Sequence, residues 1–200
     1  MAIVSFRTSG LWADAGSGMQ LVVPGIVTTS SITGTMQSRL TGLPYHELTL
    51  ITPRRLSGIT AGRWKALIDQ LRGQVNHLEA YDPAHLVPNG TARGAGSSGA
   101  AAASATAVYV SGLTGTLLRG DRLQIGTGLG SHYLHVTADV TLPGTVSFEP
   151  PLRTAIASGQ TVQLDRPSAM FKLVGQPPLW PAAPGQQVDQ VTLKFREQWQ

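Results

Sequence analysis

Apolar and polar positions alternate with a period of two along most of this chain, and the 3.6-residue period of a helix shows once. Residues 3–7, IVSFR, alternate as a first strand. Residues 19–27, MQLVVPGIV, read as a second, and Pro24-Gly25 inside it marks an edge or a bulge. Residues 28–45 are rich in Thr, Ser and Gly and predict a long hairpin arm or loop. In residues 46–52, HELTLIT, Leu48 and Leu50 share one face, while Glu47, Thr49 and Ile51 share the other. The helix follows: Trp64, Leu67, Ile68 and Leu71 fall at i, i+3, i+4 and i+7. Thr60 is the expected N-cap, Arg72 the cation of the last turn, and Gly73 the left-handed residue beyond it. Val75 to Tyr81 then reads as a strand that stops at Asp82-Pro83.

Residues 89–107, NGTARGAGSSGAAAASATA, break the pattern. Gly, Ala and Ser make up 15 of these 19 residues, so no bulky side chain is present to pack and a flexible linker is expected, open to cleavage near Arg93. Beyond it, short alternating pairs recur: Val108 and Val110, Leu123 and Ile125, Leu134 and Val136, Val146 and Phe148, Val162 and Leu164. Turn signals at Arg119-Gly120-Asp121, Gly126–Gly130, Pro143-Gly144 and Ser158-Gly159 separate them. Such spacing predicts a small antiparallel barrel or sandwich. Two further strands, Ala169–Val174 and Gln190–Arg196, flank a proline-rich connection, PPLWPAAPG.

The expected fold class is therefore mainly β with one packed α-helix. The strands before residue 83 are too few to close a core alone, and the last 32 residues supply two more. A discontinuous unit of residues 1–83 and 169–200 answers this, with 84–168 inserted as a small accessory β domain whose flexible linker is 89–107. Two consecutive domains split near residue 90 are the alternative. Composition agrees with a β protein, since Gly and Pro account for 36 of the 200 residues, against roughly 12% in average usage. No Cys is present, which removes disulfides, thiol nucleophiles and thiolate metal sites. No apolar run approaches the roughly 18 residues of a membrane helix, and no membrane partner is expected. MAIVSFRTSG has neither the charged nor the apolar region of a secretory signal, so synthesis in a cytoplasm is expected. The net charge of +4 comes from 12 Arg and 3 Lys against 11 acids. These Arg are scattered rather than gathered on a stripe, which suits ion pairs and protein interfaces better than specific nucleic-acid binding.

Catalytic chemistry is hard to assemble from these residues. The His are at 46, 77, 85, 132 and 135. On a strand, His132 and His135 point to opposite faces and do not chelate one ion. Gly126-Thr-Gly-Leu-Gly130 lacks the lysine and the following helix of a phosphate loop and reads as a hairpin loop. Glu149, beside Pro150-Pro151, is expected to pair with Arg153 at a structural corner. No nucleophile elbow and no acid–base pair stands out. The expectation is no enzymatic activity, no cofactor and no metal. Trp64 belongs to the helix's core stripe. Trp180, among prolines, and Trp199, past the last strand, are candidate interface residues, as are Arg54 and Arg55 before the helix.

Taken in order, HELTLIT, the helix TAGRWKALIDQLRG and VNHLEAYDP resemble the tail-tube-like fold of bacteriophage tails. The stretch GDRLQIG…PPLRTAIASGQTVQLDRPSAMFKL resembles the second domain of distal tail proteins of long-tailed, non-contractile phages. The residues that carry it are Gly120, Asp121, Leu123, Ile125, Gly126, Pro150, Pro151, Leu152, Arg153, Phe171 and Leu173. The resemblance covers most of residues 46–196. It implies a tail-tube-like β-sandwich or barrel that forms a homo-hexameric ring at the distal end of the tail tube, in the virion, after synthesis in the host bacterium. It further implies the tail tube protein, the tape measure protein, the tail hub or baseplate proteins and receptor-binding proteins as partners. DNA would pass through the lumen without specific binding. A carbohydrate- or receptor-binding module of the tail tip is the other reading that stays open.

Overall fold

Period-two stretches become strands and the period-3.6 stretch becomes the helix in the structure, a computed structural model that describes residues 1–183 and 187–199. The first part of the chain forms β1 (Ile3–Ser5), β2 (Gly18–Val22), β3 (Gly25–Thr29), β4 (Met36–Leu40) and β5 (Tyr45–Ile51), then α1 (Gly58–Gln70) and β6 (His77–Tyr81). The middle forms β7 (Ala95–Ser98), β8 (Ala107–Leu117), β9 (Arg122–Ile125), β10 (His132–Val136), β11 (Val140–Glu149) and β12 (Thr161–Gln163). The last part forms β13 (Ser168–Leu173), the two-residue strands β14 (Ala182–Ala183) and β15 (Gln187–Val188), and β16 (Thr192–Glu197). The protein is mainly β with one α-helix.

Two cores result. A six-stranded sheet in the order β1-β6-β13-β16-β5-β2 draws its strands from both ends of the sequence. Its buried face is the one the alternation assigns: Leu48 and Leu50 on β5, Leu193 and Phe195 on β16. The apolar stripe of α1 adds Trp64, Leu67 and Ile68 to the same core, with Trp64 5.5 Å from Phe6 between ring centroids. The second core fills a closed barrel, β10-β11-β8-β7-β12-β9. All five alternating pairs read from residues 108–164 are buried in it, because i and i+2 on a strand face the same side.

Three expectations need correction. The helix begins at Gly58 rather than after Thr60, with Ser57 as its extended N-cap. It ends at Gln70, so Arg72 lies outside it in a left-handed conformation, φ 47, just before Gly73 at φ 68. The larger correction concerns 89–107, which is not a flexible linker: Ala95–Ser98 is a barrel strand paired with both β8 and β12, and Ala92 is fully buried. Two of the glycines there, Gly90 and Gly96, are required by close approach. A Cβ on Gly90 would run into the Thr116 carbonyl, and one on Gly96 would meet the Ser111 carbonyl at 2.5 Å. A strand this tightly laid against its neighbour has no room for large side chains, and its composition imitates a linker's.

The arm expected at 28–45 is a hairpin of β3 and β4 over residues 25–40, which among the described residues pair only with each other. Val27, Met36 and Leu40 fall on one of its faces by register, with Thr28, Gln37 and Arg39 on the other. Both strands are exposed throughout, and a lone two-stranded hairpin is marginal in water. Limited trypsin digestion is therefore expected to cut at Arg39 first. Arg93 should resist, since its guanidinium donates to the carbonyls of Gly90 (2.5 Å) and Ala92 (2.7 Å) beside a paired strand. Mass spectrometry of the first fragments checks this; an initial cut at Arg93 would contradict it.

Candidate functional site

On β16, the alternation that buries Leu193 and Phe195 also buries Glu197, and on β5 the alternation that buries Leu48 and Leu50 also buries His46. Two polar side chains thus stand at core positions. The β5–β16 register pairs Glu47 with Arg196, and one step further it brings His46 beside Glu197. Glu197 Oε2 accepts from the His46 backbone N–H at 2.7 Å and lies 2.9 Å from His46 Nδ1. A carboxylate only accepts, so Nδ1 is the protonated nitrogen in this contact.

The barrel supplies the other half. Arg153, in the segment after β11, donates to both Glu197 oxygens at 2.8 and 2.5 Å and to the Pro44 carbonyl at 3.3 Å. Its guanidinium lies 3.9 Å from the centroid of the Trp199 ring. Side-chain exposure is 5% for Arg153 and 1% for Glu197, so this is a bidentate ion pair out of water. On β10, His135 Nε2 approaches His46 Nε2 at 3.3 Å, and the Tyr133 ring stands edge-on to both imidazoles. His132, on the opposite face of β10, meets the Thr154 hydroxyl at 3.3 Å. A second tie joins the two units through Gln124, whose Oε1 accepts from the Ser168 N–H and hydroxyl at 2.9 and 3.0 Å.

Charge follows from these contacts. Burial alone would push the Glu197 carboxyl up. The hydrogen bonds and charges of His46 and Arg153 outweigh it and bring the group down to about 2. Burial, followed by the charges of Arg122, His46 and His85, holds His135 down to about 3, with Glu197 opposing. Burial and Arg153 lower His132 as well, again against Glu197. Burial raises the Tyr133 hydroxyl. The junction therefore holds an ionised carboxylate and a neutral His135 at pH 7.

The chemistry available is limited by what faces what. Glu197 and His46 are the carboxylate and imidazole of a hydrolytic relay, but His46 Nε2 faces another imidazole rather than a hydroxyl. Among the described residues, no three His, Asp or Glu side chains converge to hold a metal.

Glu149 does not pair with Arg153: it is exposed at the end of β11, and Glu197 takes the guanidinium instead. A buried carboxylate already held by the sheet outcompetes a solvated one, because Arg153 must itself be buried to close the junction. Trp199 lies in the junction against Arg153. Trp180 is half-buried against the sheet core, with Lys65 Nζ 6.0 Å from its ring centroid. Arg54 and Arg55 are exposed in the turn before α1, and Arg55 has φ 53. The candidates are thus not gathered into one site. His46, Glu197 and Arg153 were not among them, although His46 and Glu197 each interrupt an apolar face, and a buried polar residue is the informative exception in such a pattern. No protein-family model matches the chain, and no curated protein matches it.

Proposed function

We propose that this protein is a structural component of a bacteriophage tail: a distal tail adaptor that assembles as a hexameric ring between the tail tube and the tail tip. One observation supports ring assembly above the others. Both edge strands of the six-stranded sheet, β1 and β2, have a single partner each, and the adjoining β3–β4 hairpin stands off with its apolar residues in water. Ile32 at its tip is 93% exposed and Met36 is 73% exposed. Free sheet edges invite pairing with another chain, and two different edges on one subunit give a head-to-tail contact that a ring closes. The function is then mechanical: many strand and apolar contacts repeated around a channel, with no catalytic step.

Replacing residues 24–43 by a short Gly-Asn link tests this. Val22 and Tyr45 are already cross-strand partners, so β2 and β5 remain joined by a compact turn and the subunit keeps its fold. Negative-stain images of the parent chain should show six-fold rings, and the shortened chain should stay monomeric. Intact rings from the shortened chain would remove the arm from the assembly, and a parent chain that is monomeric at all concentrations would remove the ring.

A further inference from the structure

We propose that His46 and His135 form a two-histidine site for a divalent transition-metal ion of the zinc or copper kind, bridging the sheet and the barrel. This reading does not rest on a role in phage tails. It starts from two imidazole ring nitrogens that face each other across the junction. Nδ1 of His46 is held by Glu197 at 2.9 Å, which turns its Nε2 toward His135 Nε2 at 3.3 Å.

The spacing is that of a chelate. Two imidazole nitrogens each about 2.0–2.1 Å from one tetrahedral ion stand about 3.3 Å apart, with ring centroids about 5.2 Å apart. The observed centroid separation is 5.1 Å. A head-to-head N–H···N bond of the same length would hold the centroids about 5.6 Å apart only if both rings were collinear with it. The surroundings match a metal-ligating histidine as well. Such a ligand ordinarily gives its other N–H to a carboxylate, which fixes the ring and makes it more basic. Glu197 does this for His46, and Arg153 in turn fixes Glu197. A dication here meets the charges of Arg122 and Arg153, and Glu197 is the carboxylate that opposes them.

Only two protein ligands converge here. The remaining positions would belong to water, with His135 half-buried and His46 fully buried. Imidazole donors suit Zn2+, Ni2+ and Cu2+ and not Mg2+ or Ca2+, which take oxygen. Because His46 is on β5 and His135 on β10, the ion would cross-link the two cores and stabilise their relative placement.

Equilibrium dialysis of the untagged full chain against Zn2+, and separately Cu2+, tests the site. About one equivalent should bind, with Cu2+ tighter than Zn2+. Binding should be lost in His135→Ala and His135→Gln and retained in His132→Ala, whose ring faces away. Glu197→Gln should weaken it about 10- to 100-fold. Saturating Zn2+ should raise the melting temperature of the parent chain and leave that of His135→Gln unchanged. Circular dichroism confirms that the variants are folded. No saturable binding to the parent chain, or binding that survives both His135 substitutions, would overturn the proposal.

Discussion

Replacing Glu197 by alanine is expected to destabilise the fold by about 3–5 kcal/mol, because it leaves the Arg153 guanidinium buried without its counter-charge. The loss is read from the midpoint of urea unfolding. Arg153 has 5% of its side chain exposed, and its other contacts are one carbonyl and the Trp199 ring. Neither neutralises it. The double replacement Arg153→Met with Glu197→Leu should cost far less than the sum of its parts, since an apolar pair carries no desolvation penalty. Acid should act on the parent chain in the same direction. The folded-state carboxyl is held at about 2 against an ordinary value of 4.5. The unfolded chain therefore takes up this proton first. The stabilisation is complete above pH 4.5 and is lost as pH falls through 2. Glu197→Gln, which does not titrate, should lack that part of the acid dependence. A midpoint within experimental error of the parent's in Glu197→Ala would show that the ion pair is not formed in solution.

Truncating Trp64 to alanine should cost a similar amount, about 3–5 kcal/mol. The ring is completely buried at the centre of α1's apolar stripe, against Phe6. Its loss opens the largest cavity a single substitution makes in this core. The indole Nε1 has no hydrogen-bond partner, so Trp64→Phe forfeits packing alone and should fall well short of the alanine variant. Trp12, 59% exposed, supplies the control: its alanine variant should unfold within about 0.5 kcal/mol of the parent. Equal losses at Trp64 and Trp12 would mean that α1 does not close this core.

What local pattern determines was legible from the residues. Period-two alternation identified β5, β16 and the buried pairs of the barrel strands, because each strand is half-buried and its side chains alternate by geometry alone. The 3.6-residue period located the helix stripe, and the Thr- and Ser-rich stretch at 28–45 announced an arm or loop. Helix ends were less legible. Ser57 and Thr60 are both ordinary N-cap residue types, so residue type alone did not choose between them, and Ser57 starts α1 without a side-chain cap bond. The run at 89–107 was misread for a physical reason: a strand squeezed against a neighbouring backbone and a solvated linker both select Gly, Ala and Ser, one for lack of space and the other for lack of contacts.

The junction lay beyond sequence pattern. His46, His135, Arg153 and Glu197 are separated by up to 151 positions, and no spacing rule links them. The sequence by itself placed His46 in line with Leu48 and Leu50, and it left Glu197 just past the strand read at 190–196. Which partners they have was decided by the tertiary structure, through the β5–β16 register and the docking of the barrel. Burial then supplied the energy scale, because a carboxylate, a guanidinium and the His46 imidazole out of water must satisfy one another within hydrogen-bond reach.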